Sequence, residues 1–125
     1  MDTVGAYEVD IYIGSRNEKT HQPFDKQELI NVVGRFQTAS GSGTFLPVRI
    51  SDVTYVSGVD YYETGFQITA CRLPARTDTE KDVWAWANRL AKHLLVTFDQ
   101  HRVGVSDPDH MIYHRAENGE VKSCG

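Results

Sequence analysis

Cysteine is scarce: the 125 residues contain two, Cys71 and Cys124, and no CxxC pair. That excludes a disulfide scaffold and leaves a buried thiol and a tail thiol. Basic charge is also short, since 13 Lys and Arg against 17 Asp and Glu give −4 at pH 7. Such a balance offers no general electrostatic footprint for nucleic acid or anionic lipid. No apolar run approaches the ~18 residues of a membrane span, and Met1 to Ala6 have neither basic nor apolar leader character. A cytoplasmic chain with no membrane or nucleic-acid partner is therefore expected. There is no Gly-x-Ser-x-Gly, and Cys71 has no base placed beside it. Gly41-Ser42-Gly43 follows a helical pattern instead of opening one, which is the wrong order for a phosphate loop. No cofactor is expected from these features.

What is present is an order of hydrophobic periods. With 40% hydrophobic and 24% charged residues, the composition is that of a globular protein. Residues 1–125 read as a single domain with its core over about 7–106 and a frayed tail over about 117–125. Tyr7 to Gly14 alternate, with Tyr7, Val9, Ile11 and Ile13 on one face and Glu8, Asp10 and Tyr12 on the other, as a half-buried strand requires. Asp25 is the expected N-cap of a first helix from Lys26 to about Thr38, with Glu28 at N3, Phe24 stapled on Leu29, and Leu29, Val33 and Phe36 facing the core. Phe45 to Val56 reads as a second strand whose apolar parity changes after Ile50, which a bulge near Ser51-Asp52 would repair. Ser57 to Asp60 turn the chain into a third strand, about Tyr61 to Arg72, with Phe66, Ile68 and Ala70 on one face. A second helix follows, begun by Thr77 with Glu80 or Thr79 with Asp82 and reaching about Phe98, its core stripe Val83, Ala87, Leu90, Leu94 and Phe98. Arg102 to Ser106 form a fourth strand; Asp107-Pro108-Asp109-His110 is a turn before a short extended piece, Met111 to His114. The order βαββαβ predicts an α+β, ferredoxin-like (split βαβ) plait: a four-stranded antiparallel sheet with two helices on one face.

Parity gathers Glu8, Asp10, Tyr12, Arg49, Gln67, Thr69, Arg102 and Ser106 on the uncovered sheet face. Carboxylates facing an arginine fork suit a polar or anionic ligand, and the same set also makes a solvated face neutralised by cross-strand pairs. His110 and His114 lie close in sequence beside Asp107 and Asp109. In a turn and strand they close no ligand set, so no metal is expected. His101, just past the second helix, is expected at that helix's terminal carbonyls. Trp84 and Trp86 are separated by roughly 200° around the helix. Both cannot enter the core stripe, so Trp84, Trp86 and Leu95 become candidates for an interface, or for packing over neighbouring loops.

Ile11-Tyr12-Ile13-Gly14-Ser15 resembles the RNP2 half of the RNA-recognition motif, in which an aromatic such as Tyr12 stacks a base. Gly65-Phe66 echoes the partner half, but Thr64 stands where the basic start belongs and Ile68 where the second aromatic belongs. RNA binding is not expected. The sequence assigns no activity. Its leading reading is a small binding or assembly module acting as a homo-oligomer, most simply a dimer, with a protein partner or a small polar ligand. The alternative is a small enzyme or ligand-binding protein with a cleft between the sheet face and residues 107–114, built from Asp10, Tyr12, Arg49, His110 and His114.

Overall fold

The computed structural model of the chain describes residues 7–39, 46–71 and 79–116. The glycine-rich break after the first helix, the start of the second strand, the Thr77 cap, Cys124 and the tail lie outside them. The elements are β1 (Glu8–Gly14), α1 (Lys26–Ala39), β2 (Val48–Val56), β3 (Tyr62–Cys71), α2 (Glu80–Thr97), β4 (Arg102–Ser106) and β5 (Met111–Arg115). One antiparallel sheet runs in the order β2-β3-β1-β4-β5. Its first four strands interleave two βαβ units. The expected four strands become five, because Met111 to Arg115 pair along β4 from Ser106↔Met111 to Arg102↔Arg115. Pairing of this kind costs little: the Asp107 carboxylate accepts from the backbone N–H groups of Asp109 and His110, and Asp107 N–H donates to the His110 carbonyl, closing a tight reversal.

Local chemistry explains the helices. The Glu28 N–H donates to Asp25 Oδ1 at 2.8 Å, so Asp25 caps α1. At α2 the side chain of Thr79 accepts from Asp82 N–H while Asp82 accepts from Thr79 N–H, a reciprocal box; the backbone N–H of Thr79, and then its side chain, hold the Asp82 carboxyl below the ordinary range. Past the other end, Gln100 and not His101 satisfies the helix: Gln100 N–H donates to Leu95 O and its side chain to Phe98 O. His101 instead reaches Glu18, 3.5 Å away, in the loop after β1.

A single apolar cluster joins the helices to the sheet. Val9, Ile11, Ile13, Phe66, Ile68, Ala70, Val103 and Val105 meet Leu29, Val32 and Val33 of α1 and the α2 stripe of Val83, Ala87, Leu90 and Leu94. Both helices thus cover one face and leave the other open. Two expectations fail here for packing reasons. Trp86 is only 2% exposed and Leu95 9%, so neither is a free anchor; Trp86 fills the seam between the helices, its ring edge-on to Phe36 at 5.8 Å. Trp84 is half-buried, its ring 6.1 Å from that of His110 over the 107–110 turn. There is also no bulge in β2, which pairs with β3 in unbroken register from Val48↔Ala70 to Val56↔Tyr62. The parity change is real. Beyond Gly65 the β2–β3 ribbon runs past the end of β1, no helix lies below it to reward an apolar residue, and Val53 and Tyr55 fall on the open face.

Among the described residues, no helix is long and apolar enough to cross a membrane.

Candidate functional site

The open face is built in rows by the register. Arg49, Thr69, Asp10 and Ser106 lie across one row; Ser51, Gln67, Tyr12 and Gly104 across the next, extended by Tyr113 of β5. Asp10 is held at the centre, accepting from Thr69 Oγ1 at 2.6 Å and from Gln67 Nε2 at 3.0 Å. These three side chains are therefore tied to one another. Arg49 sits 3.6 Å from Glu8 at the sheet margin, and the Cys71 thiol, which burial and then its bond to Glu8 push up, lies beside it.

Two of the expected histidine positions part company. His110 stays in the turn, 3.1 Å from Asp107 Oδ1. Asp107 also accepts from Tyr7 OH at 2.9 Å; burial pushes its carboxyl up, but bonds from Asp109, Tyr7 and His110 outweigh that and hold it low. His114 pairs with Val103 and so faces the helices, 7% exposed, its Nε2 2.6 Å from Asn88 Oδ1. The Asn88 amide donates to Trp84 O, so its oxygen is left to accept and His114 Nε2 carries the proton. Among the described residues, no three or more His, Cys, Asp or Glu are grouped so that they could hold a metal ion.

Burial, and then Lys92, hold the His114 imidazole below its usual 6.5. The folded state therefore prefers it neutral while the unfolded chain takes up the proton, so this contribution is complete above 6.5 and is lost as pH falls through that value toward the lower folded pKa. His114→Gln is expected to flatten the fall in stability over roughly the first pH unit below the free-imidazole value. Urea midpoints measured across that range check this, and parallel slopes in the two proteins would remove His114 as the source.

Toward the far end of the open face lies a hollow of about 590 Å³. Tyr12 of β1, Tyr55 of β2 and Tyr113 of β5 present aromatic walls, Glu18 and Glu63 bring carboxylates, His101 brings an imidazole and Arg102 a guanidinium. Its depth comes from missing side chains: Gly14 and Gly104 line it, and Gly65, paired with Gly14, leaves no side chain beside them. Burial first, and then the nearby Tyr12, Glu63 and Tyr113, raise the Tyr55 phenol above its ordinary range, so it stays neutral and able to donate. Tyr61 OH donates to Glu63 Oε2 at 3.1 Å, and the Arg102 guanidinium lies 4.8 Å above the Tyr113 ring. Tyr12 OH accepts from Ser106 Oγ at 3.3 Å.

Of the residues expected to form a site, Asp10, Tyr12, Arg49, Gln67, Thr69 and Arg102 share this face, and Tyr12 and Arg102 line the hollow. Tyr55, Glu63, Gln100 and Tyr113 line it without having been foreseen. Extending the parity of Phe66 and Ile68 backward puts Glu63 on the open face; Tyr113 needed the fifth strand, and Tyr55 needed the unbulged register.

No protein-family model matches the chain, and no curated protein matches it. Two solved structures share the fold. A phage SAM lyase in complex with S-methyl-5′-thioadenosine superposes with a TM-score of 0.65 at 16% identity, over 94% of this chain and 96% of that one. A phage SAM lyase in the apo state gives 0.59 at 12% identity, over 96% and 98%.

Proposed function

We propose that the chain binds S-adenosylmethionine in the open-face hollow and cleaves it to S-methyl-5′-thioadenosine. The observation that carries this reading is the convergence of Tyr12, Tyr55 and Tyr113 with Glu63 around one hollow, in a chain that shares nearly its full length of fold with a phage SAM lyase. A purine stacks on tyrosine faces, and a sulfonium is attracted by the same faces and by the carboxylates of Glu18 and Glu63. In the cleavage the substrate's own α-carboxylate closes on the γ-carbon of the methionine part, forming a C–O bond as the bond between that carbon and sulfur breaks; the electron pair of the broken bond stays on sulfur and the four-carbon remainder departs as the lactone. A cationic sulfonium becomes a neutral thioether. Glu63, braced by Tyr61, sets where the cation sits before it is lost.

Calorimetric titration with S-methyl-5′-thioadenosine is expected to give a dissociation constant in the micromolar range, equivalent to about −8 kcal/mol. Chromatography of S-adenosylmethionine incubated with the protein is expected to show S-methyl-5′-thioadenosine accumulating, with Glu63→Gln raising KM by about tenfold, since the carboxylate binds a charge that is lost on the way to product. No saturable heat with millimolar nucleoside, and no product, would sink the reading.

Self-association is the second reading, favoured by Val56, Val59, Tyr61 and Tyr62, which stand exposed on the ribbon that projects past β1. Light scattering that shows a monomer at hundreds of micromolar would exclude it.

A further inference from the structure

Gln100 is the most buried polar side chain at the hollow, 4% exposed, in a segment otherwise occupied with ending α2. Both of its amide hydrogens are spent. Nε2 donates to Arg16 O at 2.8 Å and to Phe98 O at 3.1 Å. The opposite amide orientation would set its oxygen against two carbonyls, so the bonds fix which end is which. The carbonyl oxygen Oε1 is what remains, and no hydrogen bond among the described residues ends on it.

The place of that oxygen follows from Gly14. β1 alternates, and Gly14 has the parity of Tyr12, so a Cβ there would project onto the open face. Such a Cβ would stand 3.3 Å from Gln100 Oε1. The oxygen therefore lies over the open face beside Gly14, two residues along the strand from Tyr12, and both residues line the hollow. A group held in this way accepts and cannot turn to donate.

We infer that Gln100 Oε1 reads the amino group of a 6-aminopurine, making the hollow selective for adenine over a 6-oxopurine; the inference rests on the nucleoside reading above. A purine stacked on Tyr12 can extend its six-membered ring toward Gly14, where no side chain intervenes. The 6-amino group only donates and matches a fixed acceptor, whereas a 6-oxo group only accepts and faces oxygen with oxygen. A ribose hydroxyl both donates and accepts, so a locked acceptor would discriminate little among hydroxyls. The rigid amide is therefore best explained by a partner that only donates.

The test titrates the protein with S-methyl-5′-thioadenosine and, separately, with S-methyl-5′-thioinosine. The inosine analogue is expected to bind at least ~30-fold more weakly, since a site built to meet a donor rejects an analogue that lacks it. Gly14→Ala, which displaces Oε1 by a few tenths of an ångström without removing either amide bond, is expected to weaken both nucleosides, because its methyl group enters the hollow, and to bring their ratio below about 5, because only the adenosine compound also loses its bond to Oε1. Gln100→Met is expected to bring the ratio near one, and Gly14→Ala keeps the test decisive where the Met variant unfolds for want of a partner at Phe98. Equal binding of both nucleosides by the unaltered protein would overturn the role of Gln100 and leave the nucleoside reading standing. Binding of neither would overturn both.

Discussion

Trp86→Ala is expected to remove about 3–5 kcal/mol of stability, because it empties the largest fully buried side chain from the seam between α1 and α2. The indole is 2% exposed and cannot relax outward without parting the helices. Its Nε1 is buried with no hydrogen-bond partner among the described residues, which gives a second, opposite handle. Trp86→Phe keeps most of the ring and discards an unsatisfied donor that costs on the order of 1–3 kcal/mol, so its loss should be well below that of alanine. Urea midpoints at constant m-value check the pair. An alanine variant that keeps its stability but changes its mass in light scattering would return Trp86 to the surface as an interface residue.

That reversal shows where the sequence is legible and where it is not. Asp25, Thr79 with Asp82, the alternation from Tyr7 to Ile13 and the α2 stripe are readable because each depends on neighbours within a turn or a strand. Trp86 is misread because its burial depends on Phe36, fifty residues away, and helical angle alone does not say which flank a second helix will cover. The proposed β2 bulge fails for a related reason. It assumes that apolar residues must all face the helices, whereas Val53 and Tyr55 lie where the ribbon has outrun them.

The site is less readable than the fold because its residues are gathered by register. Asp10, Gln67 and Thr69 fall on the correct face by parity alone, yet their polar groups are satisfied by one another. The hollow draws instead on Tyr55 from an edge, Tyr113 from a strand that the sequence presents as a short extended piece, and Gln100 from the end of a helix. The residues that make the space are glycines, which carry no chemistry to notice.

Those glycines give the other large effect, and two of them should behave in opposite ways. At Gly65 a Cβ would lie 2.5 Å from the main-chain carbonyl oxygen of Ile13, where β3 passes β1. Neither atom belongs to a flexible side chain, and withdrawing one strand would break the pairing around Gly14↔Gly65. Gly65→Ala is therefore expected to cost about 3 kcal/mol, the upper range for forcing extra volume into a packed site. At Gly104 the Cβ would meet Met111 Cε at 2.8 Å and Tyr113 Cε1 at 3.1 Å. The methionine end can swing aside, and alanine restricts the unfolded chain more than glycine does, so Gly104→Ala is expected to change stability by less than about 1 kcal/mol. Its methyl group would nevertheless fill the floor of the hollow between Tyr12 and Tyr113, and nucleoside affinity should fall at least ~10-fold, about 1.4 kcal/mol. Thermal melts and calorimetric titrations of both variants separate the two glycines: the first should lose the fold before the ligand, the second the ligand and not the fold. A Gly104→Ala protein that binds S-methyl-5′-thioadenosine as tightly as the unaltered chain would move the ligand away from this part of the sheet.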